Sequence, residues 1–170
     1  MKKITPILLL YLVFSFACAE ENPNDFNLTE VGQEVPNFTF TTLNGETTSI
    51  NDLKGKIILI NFFANWCSPC MKALPEVQKQ IWEKFKDREV VVLAFGRGYS
   101  TKELKKWNQK KGFTFAICPD KDKSIYGLFF TKYIPRNVLI NKEGKIILQQ
   151  FGFSKKGLQQ LIETIEKDLK

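Results

Sequence analysis

The spacing of apolar residues changes several times along the chain, and each change predicts an element. Behind Met1-Lys2-Lys3, the stretch from Ile4 to Ala17 is nearly all apolar, with a short break at Thr5-Pro6. A basic start and a short apolar run predict a signal peptide over residues 1–17, too short to span a bilayer comfortably. Residues 18–29 are mostly polar, include Asn22-Pro23-Asn24-Asp25, and predict a tether. One folded domain is expected over residues 30–170. It opens with Phe38 and Phe40 alternating with polar neighbours over residues 37–42, the period of a half-buried strand. Leu43-Asn44-Gly45-Glu46 has turn chemistry, so residues 47–50 should pair back as a hairpin. Residues 57–63 are nearly all apolar, as in a central strand covered on both faces.

Beyond Cys70 the period becomes helical. Leu74, Val77, Ile81 and Phe85 fall on one face, with Trp82 beside them, predicting a helix from Cys70 to about Lys86. Residues 89–95 read as the next buried strand. Ser100 and Glu103 fit a capping box for a helix that turns Leu104 and Trp107 inward and stops at Gly112. Residues 113–118 predict a short strand or an extended segment, and Asp120 a cap for a short helix holding Ile125, Leu128 and Phe129. Strands over 137–141 and 145–150 flank the turn Lys142-Glu143-Gly144. Ser154 opens a last helix with Leu158, Leu161, Ile162, Ile165 and Leu169 on one side. Alternating strands and helices, closed by a hairpin and a helix, predict an α/β fold: a mixed central sheet flanked by helices on both sides.

Composition narrows the function. The 170 residues are 44% hydrophobic and include 15 Phe, enough for a substantial core. The formal charge is +7, but lysines are interspersed with acids. There is no Arg-rich helix and no aromatic-interleaved basic stripe, which argues against nucleic acid as a partner. A solvated basic surface with weak attraction to anionic lipid remains. The chain has no histidine, so the commonest general base and the commonest zinc and copper ligand are both missing. Chemistry must run on thiols, carboxylates, backbone groups or water.

Cys67 and Cys70 stand at the predicted strand-to-helix junction. Thiols three residues apart on a first helical turn share a face and can close a small disulfide ring. Cys67 lies near the unpaired N–H groups of the helix start, which favour a thiolate. Pro69 suits the first turn, where its missing N–H costs nothing. A purely structural disulfide is one alternative, though so short a loop would be a poor staple. Zinc is another, but the pair gives two ligands and Cys118 at most a third. A redox pair is therefore expected, with no metal site and no bound cofactor. Cys118 reads as a buried small hydrophobe.

Asn61-Phe-Phe-Ala-Asn-Trp66-Cys67-Ser68-Pro69-Cys70 resembles the active-site segment of the thioredoxin superfamily. Pro75, five residues after Cys70, matches that family's helix-kinking proline, and residues 133–145 are similar to its cis-proline strand and hairpin. Gly32-x-x-Val35-Pro36-x-Phe38-x-Phe40 and Leu43-Asn44-Gly45 resemble the envelope-located TlpA/ResA-type branch. The resemblance implies a thioredoxin fold with an added N-terminal β-hairpin and a thiol-disulfide oxidoreductase with Cys67 and Cys70 as its catalytic disulfide. It implies that Ile134 and a cis Pro135 face that disulfide and bind an extended substrate. Trp66 would border an exposed sulfur and help dock substrate, unless it packs in the core. The implied partners are disulfide-bearing proteins, apocytochrome c among the candidates, and a membrane thiol electron donor. Two positions depart from the pattern. Asn61 stands where thioredoxins carry a buried acid, and Ala73 where some of the branch carry a glutamate. Glu76, one turn on, is a possible substitute, which leaves the proton acceptor for Cys70 unassigned.

Two rival functions fit the sequence less well. A thiol peroxidase would need Pro-x-x-x-Thr/Ser-x-x-Cys, but Ile60 and Ala64 occupy those places before Cys67. A copper or other non-enzymatic binding module on this scaffold would use a wider cysteine spacing and a histidine. Two processing routes fit the amino-terminal segment. Ser15-Phe16-Ala17-Cys18 resembles a loose bacterial lipobox, making Cys18 a lipidated amino terminus. Ala17-Cys18-Ala19 instead fits ordinary secretion with Glu20 first. Either route puts the domain in the bacterial cell envelope, periplasm-facing or on the outer membrane, where disulfides persist.

Overall fold

The computed structural model describes residues 21–170; the predicted signal peptide and Cys18 lie outside them. The hairpin of β1 (Thr39–Thr41) and β2 (Thr47–Ser49) forms as expected, with Phe40 opposite Thr48. The centre of the fold is β3 (Ile57–Phe63), every residue of which is buried. On one side it pairs in parallel with β4 (Val90–Arg97). On the other it pairs antiparallel with β6 (Arg136–Ile140), Phe62 standing opposite Arg136. With β5 (Ala116–Asp120) and β7 (Ile146–Phe151) these make a five-stranded mixed sheet in the order β5-β4-β3-β6-β7.

One face of the sheet presents Leu59, Phe63, Ala94, Ile117 and Leu139 to the long helices. The helix predicted from Cys70 begins earlier, as α1 (Ser68–Glu76), because Cys67 itself caps it. It continues through a π-helical stretch, Val77–Trp82, into α2 (Glu83–Phe85). Pro75 lies inside α1, where it supplies no N–H to the ladder, and the wider turns begin two residues later. Helix α3 (Thr101–Lys111) has the predicted capping box at Ser100 and Glu103, and Gly112 ends it with φ of 74°. Gly96 permits its approach to the sheet, since a Cβ there would lie 2.7 Å from a Leu104 methyl. The predicted face of α5 (Lys155–Asp168) closes this layer with Leu158, Leu161, Ile162 and Ile165.

The opposite face also carries helical segments, but they are short. Here Phe38 and Phe40 of the hairpin region pack with Phe62, Phe95, Phe129 and Phe130, beside the single turn α4 (Tyr126–Phe129) and a 3₁₀ turn over Ile50–Leu53. Asp120 accepts the N–H groups of Ile125 and Tyr126 at 3.1 and 2.9 Å, which is the predicted cap. Leu128, expected inward with its neighbours, points outward and is 37% exposed. The strand predicted over 113–118 is displaced to Ala116–Asp120. The side chain of Asn108 takes both backbone groups of Phe113, leaving them nothing to give a ladder.

The described part of the predicted tether is not free. Residues 23–26 form a 3₁₀ turn that the Asn22 side chain caps. The Leu28 N–H then donates to the Phe129 carbonyl at 2.8 Å, and the Thr131 N–H to the Phe26 carbonyl at 3.0 Å. The polar composition that suggests a linker equally suits a capped turn, and Phe26 supplies the apolar contact that docks it, edge-on to Tyr133.

Candidate active site

At the end of β3 the chain turns through Ala64, Asn65 and Trp66 to Cys67, whose N–H donates to the Ala64 carbonyl at 3.2 Å. Cys67 is the N-cap of α1, and its sulfur accepts the Cys70 N–H at 3.3 Å. No acidic residue occupies the first turn to oppose a negative sulfur there. Cys67 and Cys70 are joined in a disulfide, S–S 2.05 Å. The expected exposure of the first sulfur is corrected: Cys67 is 5% exposed and Cys70 0%. Capping the helix draws Cys67 down against the sheet, and Ile134 closes over it. Trp66 beside it is 71% exposed, so it flanks the pair and is no part of the core.

The facing loop comes from the start of β6. The Ile134–Pro135 peptide is cis. The Ile134 carbonyl oxygen lies 3.8 Å from the Cys67 sulfur. Two residues that sequence reasoning did not single out determine how this loop sits. The Tyr126 hydroxyl donates to the Tyr133 carbonyl at 2.8 Å. The Arg136 guanidinium donates to the Lys132 carbonyl from Nε at 3.3 Å and Nη2 at 3.2 Å. Carbonyls 132 and 133 are thus engaged, and 134 is turned to the sulfur. Arg136 carried a signal: a cation between a proline and an apolar strand, with no acid nearby in the sequence.

At Asn61, where thioredoxins carry a buried acid, two amides meet. Asn61 is 1% exposed and donates through Nδ2 to Asn137 Oδ1 at 2.7 Å. Its own Oδ1 has no partner among the described residues. Ala73 and Asn137 line a cavity of about 240 Å³ with Gln150, Ser154 and Lys156, and no carboxylate is in its lining. Glu76 instead accepts a hydrogen bond from Gln80. Cys118 packs with the hairpin cluster on the opposite face of the sheet from Cys67 and Cys70. It is therefore out of reach as a resolving thiol or a third ligand. Among the described residues, no group of three His, Cys, Asp or Glu is close enough to hold a metal ion.

Comparison with known proteins agrees with this geometry. Residues 31–149 match the AhpC/TSA family. A thiol-disulfide oxidoreductase ResA from Bacillus thuringiensis is 32% identical over 141 residues, 83% of this chain and 78% of that protein. The chain belongs to the AhpC/TSA family, among its ResA-type thiol-disulfide oxidoreductases. Two solved structures share the fold. One, from Bacteroides thetaiotaomicron and described as a candidate protein disulfide isomerase, superposes with a TM-score of 0.81 at 26% identity, over 85% of this chain and 92% of that one. The thioredoxin domain of a Bacteroides vulgatus thiol-disulfide oxidoreductase gives 0.68 at 25% identity, over 84% and 99%.

Burial raises the Cys118 thiol from an ordinary value of 9.0 to about 12. Between those values the unfolded chain loses this proton and the folded chain keeps it, so stability present below pH 9 falls as pH rises toward 12. In the oxidised protein, urea unfolding at pH 8 and pH 10.5 should therefore show a larger alkaline loss for the wild type than for Cys118→Ala. The difference should approach about 1.4 kcal/mol per pH unit above 9. Equal losses would mean that this thiol titrates normally.

Proposed function

We propose that this oxidoreductase works as a reductase of protein disulfides in the bacterial cell envelope, cycling Cys67 and Cys70 between dithiol and disulfide. The observation that carries the reading is the place of Cys67: an N-cap sulfur that accepts a backbone N–H while facing the Ile134 carbonyl. The helix start favours the Cys67 thiolate, the form that attacks disulfides. Cys67 bonds to one sulfur of the substrate disulfide, and the other leaves as a thiolate. Cys70, giving its proton to water, then attacks Cys67 and expels the second substrate thiolate. Two electrons pass from the dithiol to the substrate, and the protein is left with the Cys67–Cys70 disulfide.

Ile134 offers backbone hydrogen bonds to an extended substrate segment, by strand-like addition, with cis Pro135 fixing the turn and Trp66 supplying apolar surface. Apocytochrome c is one substrate of suitable chemistry. Reduction of the spent disulfide falls to a membrane thiol donor. The peroxidase alternative has little support, because Ile60 and Ala64 replace the residues it would need before Cys67.

Lipidation of Cys18 would bring this edge to a membrane. Glu21 pairs with Lys132 at 3.4 Å and accepts from the Tyr133 hydroxyl at 2.5 Å, beside the Ile134 loop. Three residues reach at most about 11 Å, so a lipid on Cys18 would hold the reactive edge close to the bilayer. Mass analysis of the mature amino-terminal peptide should find a diacylglyceryl Cys18; a chain beginning at Glu20 would replace this reading with simple secretion.

Replacing Cys70 with serine removes the resolving thiol. In the native envelope, Cys70→Ser should accumulate proteins joined to Cys67 and released by dithiothreitol. Recovery of apocytochrome c would narrow the substrate class. If no adducts form, and the wild type fails to reduce insulin, the reductase reading is wrong.

A further inference from the structure

Arg136 is 1% exposed, and no carboxylate pairs with it among the described residues. A buried cation needs acceptors for its N–H groups, and here all of them are neutral oxygens. Lys132 supplies one. The other two come from the amino-terminal strap: the Pro23 carbonyl at 2.6 Å from Nη2 and Asn27 Oδ1 at 3.1 Å from Nη1. The rings of Phe130 and Phe151 lie 4.7 and 5.1 Å from the guanidinium carbon and shield it from water. The strap also holds the loop directly, since Asn27 and Phe130 form an isolated antiparallel bridge and Lys132 lies 4.4 Å over the Phe26 ring. Tyr133 is held at φ 71°, a left-handed conformation that side chains disfavour. Such a residue keeps its geometry only where its surroundings hold it.

We propose that residues 23–27 are a positioning element for the substrate-facing loop. The strap supplies acceptors to Arg136, Arg136 holds the Lys132 carbonyl, and the Ile134 backbone is aimed as a result. This rests on the proposed role of Ile134 in receiving the substrate backbone. It makes recognition of a peptide disulfide depend on the strap, while the chemistry of Cys67 does not. Pro23, Asn27 and Arg136 are then positioning residues, acting through the loop.

Asn27→Ala leaves Nη1 without its acceptor, whereas Asn27→Asp retains one. Each variant, in the full mature chain, is assayed with insulin, a peptide disulfide, and with 5,5′-dithiobis(2-nitrobenzoate), which has no peptide backbone. Asn27→Ala should raise KM for insulin about tenfold, the scale of a lost charged hydrogen bond, with kcat little changed. Its turnover of the small disulfide, and the equilibrium constant for exchange of its Cys67–Cys70 disulfide with glutathione, should stay within about twofold of wild type. Asn27→Asp should restore KM, and amide exchange in Asn27→Ala should rise at residues 131–134 only. Should Asn27→Ala fail to fold, Asn27→Ser, with a shorter oxygen, replaces it under the same expectations. An unchanged insulin KM, or equal losses on both disulfides, would overturn the proposal. Failure of the parent reading looks different: the wild-type chain itself would reduce neither disulfide.

Discussion

The antiparallel register of β3 and β6 is the constraint on which the rest depends. Phe62 stands opposite Arg136, so the residues leaving β3 and those entering β6 meet at one edge of the sheet. A slip of one residue would turn every side chain of β6 to the other face. Val138 and Ile140 would leave the aromatic cluster and Leu139 the helical face. Burial on both sides therefore fixes the register, and the register delivers the Ile134 carbonyl to the Cys67 sulfur.

The site divides its thiols by environment. Cys67 combines a helix cap, a backbone N–H and an exposed neighbour in Trp66. Cys70 is wholly buried beneath it. Cys118 lies on the other face of the sheet, where burial keeps it protonated. The amides of Asn61 and Asn137 cannot take a proton near neutral pH, and the cavity that Asn137 lines has no carboxylate in its lining.

Much of this could be read from the sequence because it depends on short-range patterns. The run 57–63, the capping box at Ser100 and the start of α5 at Ser154 follow from local periodicity and capping chemistry. The cysteine pair and the proline loop were visible as motifs. What escaped was long-range. Asn108 binding Phe113 moved a strand. A helix cap hid a sulfur expected to be exposed. Residues 22–29 looked like a linker because their partners, Phe129 to Arg136, lie more than a hundred positions away. The positioning roles of Tyr126 and Arg136 likewise exist only once the loop is folded against them.

The central claim is that one sulfur at a helix start is reactive while its neighbour waits beneath it. Brief alkylation of the reduced, folded protein with iodoacetamide at pH 7, read by peptide mass analysis, tests it most directly. The account predicts modification of Cys67 alone, with Cys70 and Cys118 protected until the chain is unfolded. Protection of all three thiols, or faster labelling of Cys70 than of Cys67, would contradict it.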